Sequence, residues 1–244
     1  MNTTFKYTAL SLVLAATHTF AAEEDINPSD MTRTFTSFGL GMANNGNAKL
    51  SGQISTSLEN TELMSTIDLT LDKDGDYSDG RFQYYHVFSV DNETTPRVAV
   101  SLDIIDNALF STGNIGLATV FKTGIKGFDI YARAGYVAGE YSEDFGSSLS
   151  INDKSMQGGM GGLYFTYVME NGMYLQYFPE YMGVVGDADF TNIKNTVQFG
   201  APVNDSKNIW LMTKFENINN SWESNGVKES DSDNIVWATA KFYF

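Results

Sequence analysis

Residues 233–244 read DNIVWATAKFYF, and the segment ends on an aromatic ring. Phe244, Phe242, Ala240, Ala238 and Val236 recur at every second position, with Lys241 on the opposite parity. A period of two belongs to a β-strand with one apolar and one polar face, since successive side chains point to opposite sides of the sheet. The same pattern recurs upstream. In KLSGQISTSL (49–58), Leu50, Ile54 and Leu58 oppose Lys49, Ser51, Gln53, Ser55 and Ser57. In RVAVSLDI (97–104), Val98, Val100, Leu102 and Ile104 oppose Arg97, Ser101 and Asp103. In GFDIYARAGY (127–136), Phe128, Ile130, Ala132 and Ala134 oppose Asp129 and Arg133.

Extending this reading gives about twelve strands: 32–43, 48–58, 62–72, 81–91, 96–105, 114–123, 127–139, 156–169, 173–184, 193–203, 208–217 and 234–244. Their lengths suit tilted transmembrane strands of roughly 9–11 residues. Connections after the even-numbered strands are short: ENT (59–61), NETT (92–95), GIK (124–126), ENG (170–172) and NDSK (204–207). The others are mostly longer and more acidic, as in EYSEDFGSSLSINDKS (140–155) and INNSWESNGVKESDSD (218–233), with NNGN (44–47) as the exception. Short turns on one side and long loops on the other are the mark of an outer-membrane barrel. The expected fold class is all-β: a transmembrane antiparallel up-and-down barrel with both termini in the periplasm.

Composition supports this class and excludes others. The chain has 244 residues, a formal charge of −15 and no cysteine. The charge argues against nucleic acid, which needs a basic face, and disulfides play no part in stability. No apolar run in the body reaches the roughly 20 residues of a membrane helix. MNTTFKYTALSLVLAATHTFA (1–21) has one positive charge, a short apolar stretch and small residues at its end, the layout of a secretory signal peptide. The expected organisation is a signal peptide (1–21), a periplasmic N-terminal segment (22–31) and the barrel (32–244).

The closing strand, with Phe244 and Phe242 on its apolar face, resembles the assembly signal of Gram-negative outer-membrane barrel proteins, and the likeness in architecture covers the whole mature chain. In size and strand count it is similar to the small monomeric porins specific for acidic oligosaccharides. The resemblance implies a monomer in the bacterial outer membrane, in contact with lipids and lipopolysaccharide and folded by the barrel-assembly machinery. It implies a porin-like channel for small, anionic solutes, without a cofactor.

If the apolar parity meets lipid, the other parity lines the lumen, because a lipid-facing Arg or Lys costs roughly 2–4 kcal/mol at the midplane. The pore-lining candidates are Arg33, Lys49, Arg81, Arg97, Asp103, Lys122, Asp129, Arg133, Lys194 and Lys214. Two readings compete. The cations line a narrow aqueous pore and attract anions, or they pair with Asp68, Asp103, Asp129, Glu180 and Glu216 and close the barrel, leaving the acidic loops as an interaction surface. A soluble periplasmic barrel binding an apolar ligand requires the faces to invert.

Other constellations carry less. DKDGDYSDG (72–80) begins like an EF-hand loop, but Tyr77 stands where the motif needs Gly and Gln83 where it needs Glu. Asp72, Asp74, Asp76 and Asp79 are at most weak calcium ligands. His86 is the one histidine of the mature chain, and Ser89 lies at odd spacing on the opposite strand face, so no His–Ser pair forms; Tyr84, Tyr85 and His86 read as an interfacial aromatic cluster. GGMGG (158–162) lacks the Lys and helix of a phosphate loop and reads as a bend or close approach. Tyr164, Tyr167, Tyr174, Tyr177, Phe178 and Tyr181 fit either an interfacial girdle or a stacking track inside.

Overall fold

A computed structural model describes residues 26–244; the signal-peptide reading of 1–21 lies outside the described residues. The strands are β1 (Ser37–Ala43), β2 (Ala48–Leu58), β3 (Thr61–Leu71), β4 (Tyr77–Ser89), β5 (Arg97–Asn107), β6 (Phe110–Lys122), β7 (Phe128–Tyr141), β8 (Ser155–Val168), β9 (Tyr174–Gly186), β10 (Ala188–Pro202), β11 (Ile209–Ser224) and β12 (Val227–Tyr243). Each pairs antiparallel with its chain neighbours, and β12 closes on β1 from Ser37↔Tyr243 to Ala43↔Trp237. Closure joins the strands into a ring, so most ladder groups are satisfied internally, as a bilayer requires.

Leu50, Ile54, Leu58, Val100, Ile104, Leu211, Phe215 and Val236 lie exposed on the outer wall. Bringing that much apolar surface into water would be unfavourable by about 25 cal/mol per Å². The outer face is therefore a lipid-facing belt, and the inversion that a soluble barrel requires does not occur. Both ends of the barrel domain meet at one rim, where the Phe244 amide donates to the Thr36 carbonyl at 3.0 Å.

All twelve expected strands are present, but several boundaries move. The stretch 218–233, expected as a loop, continues the β11–β12 ladder to Ser224↔Val227. It turns on Asn225 and Gly226 alone, both at positive φ (53° and 76°), the geometry of a two-residue type I′ turn. Here the β12 half is exposed on both faces and almost wholly polar, so the apolar alternation vanishes while backbone pairing persists, whereas Trp222 and Ser224 of β11 turn inward. The expected loops 106–113 and 185–192 shrink to Ala108 with Leu109 and to Asp187. The asymmetry between the two rims thus lies in strand length more than in loop length. At the β7–β8 connection the chain forms a short helix, α1 (Glu143–Ser148), capped by Ser142. The first strand starts at Ser37, not at residue 32, because residues 26–35 turn into the barrel mouth.

Candidate functional site

The inward parity of the strands concentrates charge in the lumen. Asp103 on β5 sits between two arginines. Arg81 on β4 donates to it twice, through Nε at 2.9 Å and Nη2 at 2.5 Å, and Arg133 on β7 donates through Nη2 at 3.0 Å. The Asp103 and Arg133 side chains are 1% and 3% exposed, Arg81 25%. The Arg133 guanidinium also lies over the Tyr85 ring at 5.8 Å.

A second network crosses β9, β10 and β11. Lys194 lies 3.6 Å from Glu180 and 3.5 Å from Glu216, and Lys214 lies 2.9 Å from Glu216. Tyr164 donates its hydroxyl to Glu180 at 2.7 Å, and the Trp237 indole donates to Glu216 at 2.7 Å. Lys122 and Asp129 pair at 2.6 Å near the β6–β7 turn, away from the central networks. Most of the expected inward cations are therefore matched by carboxylates.

One sector differs. On β1 the inward positions are Gly39 and Gly41, which leave the wall bare between β12 and β2. Lys241 stands opposite Gly39, and Lys49 opposite Gly41. Neither lysine has an ion-pair partner among the described residues. Lys49 lies 4.6 Å over the Trp237 ring, while Lys241 contacts Gln53 Oε1 at 3.3 Å and the Tyr243 ring at 5.3 Å. Lys49 and Lys241 border a lumen cavity of about 360 Å³ that Arg33, Arg81, Arg133, Lys194 and Lys214 also line, together with the carboxylates of Asp30, Asp68, Glu180 and Glu216.

Both mouths are covered. At the rim holding the termini, Asn27 and Asp30 fold residues 27–32 through successive Asx turns, their side-chain oxygens accepting from the amides of Ser29 and Thr32. The barrel grips this segment: Gln176 Nε2 donates to the Ser29 carbonyl (3.0 Å), Arg97 Nη1 to the Thr32 carbonyl (2.8 Å) and Gln53 Nε2 to the Phe35 carbonyl (2.6 Å). Arg97 also pairs with Glu62 at 2.6 Å, so it fastens the segment and does not reach the central cavity. At the other rim Phe145, Leu149 and Ile151 pack on Phe110, Tyr141, Phe190 and Trp222. The Ser224 hydroxyl donates to the Leu149 carbonyl at 3.2 Å and ties α1 to the β11–β12 hairpin.

The remaining sequence candidates separate by parity. Tyr164, Tyr174 and Phe178 face the interior, whereas Tyr167, Tyr177 and Tyr181 are exposed on the outer wall. Tyr85 also faces inward, apart from the expected interfacial cluster; His86 faces outward, stacked on Phe88 at 4.3 Å. Asp72 Oδ1 accepts from the amides of Asp74 and Asp76, which staples its own turn, and Asp79 lies by Thr70. Among the described residues no three acidic or His side chains form a metal cluster. Gly158 is a close approach: a Cβ there would collide with the Gly183 carbonyl. The segment folded into the mouth at residues 27–35 and the apolar cover of the other rim carry no alternation to read, although the N-x-S and D-x-T spacing at Asn27 and Asp30 is a local turn signal.

No family model and no curated protein matches the chain. Solved structures do match. An outer-membrane channel from Pseudomonas putida F1 aligns at TM-score 0.58 and 11% identity, over 90% of this chain and 100% of the other. The KdgM porin aligns at TM-score 0.54 and 9% identity, over 85% and 99%. The chain shares their barrel fold. Outer membrane phospholipase A from Escherichia coli aligns comparably, at TM-score 0.55 and 11% identity over 90% and 94%, so the fold spans both channels and an enzyme.

Proposed function

We propose that this protein is a monomeric bacterial outer-membrane channel for passive diffusion of small anionic solutes, and not an enzyme. The observation that carries the reading is the Lys49–Lys241 wall. Two cations without carboxylate partners face a cavity that the inward glycines of β1 keep open, so an anion there meets positive potential in a confined, low-dielectric space. The likeness in fold to porins supports this, including a KdgM porin solved with disordered oligogalacturonate. His86, packed outward against Phe88, offers no catalytic pair with Ser89. The outer belt suits lipid and lipopolysaccharide, and Phe242 with Phe244 suits recognition by the barrel-assembly machinery.

The test is single-channel conductance of the refolded protein in a planar bilayer under a salt gradient. Discrete steps with anion preference are expected, and the double variant Lys49→Gln/Lys241→Gln lowers that preference. An unchanged reversal potential would refute the assignment. A second reading, a closed barrel acting through its acidic hairpins, is favoured by the covering of both mouths. A silent bilayer from protein folded by heat-modifiable gel mobility would select it.

A further inference from the structure

We propose that the wall between β8 and β9 is a lateral passage, through which an amphipathic carboxylate with a single apolar chain moves between lumen and bilayer. This goes beyond axial diffusion and does not depend on it.

The β8–β9 ladder runs from Met156↔Gly186 to Gly162↔Glu180 and resumes at Phe165↔Tyr177 in the same register. Between them, Leu163 and Tyr164 are unpaired with Pro179 and Phe178. Pro179 has no N–H to give the ladder, and a proline inside a strand otherwise flanked on both sides is a structural anomaly. On the lipid side of this interruption lies an almost wholly apolar groove of about 770 Å³, between Leu117, Leu163, Tyr181 and Ile193. A single acyl chain matches its chemistry.

The groove and the lumen cavity abut. Ala118, Thr119, Ala132, Arg133 and Glu180 line both, so one layer of chain separates lipid from lumen. That layer is poor in side chains, with Ala132, Gly161 and Gly162 at its centre. On the lumen side it is covered by Tyr164 and Phe178, the two inward residues at the interruption, whose rings lie 5.7 Å apart. The Tyr164 hydroxyl bond to Glu180 is the latch. Lys194, 25% exposed and 3.6 Å from Glu180, stands behind it, placed to take an acidic head once the latch opens while the chain lies in the groove.

The experiment uses the full mature protein in phospholipid vesicles with a diazirine-bearing long-chain fatty acid, the adducts being mapped by mass spectrometry. Adducts are expected on inward Tyr164 and Phe178 as well as on the groove, and oleate competes for them. Pro179→Val restores the missing donor, and Gly161→Val fills the groove at a position where a Cβ meets only the Arg133 carbonyl oxygen, at 3.6 Å. Each variant, verified as folded by heat-modifiable mobility, lowers inward labelling several-fold. Adducts confined to Leu163, Tyr181 and Ile193 would overturn the proposal. So would inward labelling that neither variant reduces, since the probe would then have entered along the barrel axis.

Discussion

Replacing Asp103 with Asn tests whether the charge network of the lumen holds the barrel together. The carboxylate accepts two bonds from Arg81 and one from Arg133 while itself 1% exposed. Asparagine keeps the shape but leaves one acceptor oxygen and no charge for two guanidiniums. Both arginines border the cavity, but Arg81 is 25% exposed and hydrates, whereas Arg133 is 3% exposed and keeps its charge buried. Removing one member of a buried pair costs about 3–5 kcal/mol, because the other charge stays buried without compensation. With a urea dependence of roughly 1–3 kcal/mol per M, the unfolding midpoint in lipid vesicles falls by about 1–5 M. Tryptophan fluorescence, from Trp210 and Trp237 inside the barrel, reports the transition. The double variant Asp103→Asn/Arg133→Met recovers most of the loss, since the stranded charge leaves with its partner. A single-variant effect under about 0.5 kcal/mol, the range of ordinary surface changes, would show that lumen water solvates the arginines and that the pair is not structural. In a conducting barrel the same variant raises anion preference, opposite in sign to the Lys49 and Lys241 variants.

Two further outcomes follow from the fold. Deleting residues 22–35 removes the segment held by Gln176, Arg97 and Gln53, and the unitary conductance rises. Equal conductance would mean that solute passes around the segment. Gly226→Val, at φ 76°, places a branched residue in a left-handed conformation at a cost of about 1–2 kcal/mol. Because Asn225 and Gly226 are exposed at the tip, beyond the Trp222 and Ser224 contacts, the penalty appears as faster amide exchange at the hairpin tip with an unchanged urea midpoint; a global shift would contradict that independence.

How much of this was legible in the sequence depends on which physical signal each residue carries. Strand number and face came from alternation, which the bilayer enforces: Leu50 and Val100 cannot trade parity with Lys49 and Asp103 without placing charge in lipid. Where lipid exerts no such demand, the signal fails. Residues 228–233 are polar on both faces, and Ile218, Trp222 and Val227 are too sparse to define one, so only the Asn-Gly pair marked the hairpin. Aromatics suit both girdle and lumen, yet carrying parity through Tyr174, Gln176, Phe178 and Glu180 would have placed Phe178 inside. Contacts such as Gln176 with Ser29, 147 residues apart, have no period to read.

The pairing of the interior charges was equally hidden, and it decides what the lumen can do. Position alone makes Arg81, Arg133, Lys194 and Lys214 look like an anion track. Neighbours on the same, adjacent and next strands set Asp103, Glu180 and Glu216 against them, which cancels most of that potential. Lys49 and Lys241 escape because their inward neighbours on β1 are Gly41 and Gly39, which supply neither a carboxylate nor bulk. Space and unbalanced charge thus coincide for one reason, the absence of side chains on a single short strand. Gly39→Glu is therefore the substitution that most directly abolishes anion preference: its Cβ has room, 3.4 Å from Ser51 Cβ, and its carboxylate meets Lys241 across the ladder. A reversal potential unmoved by that change would place selectivity elsewhere in the barrel.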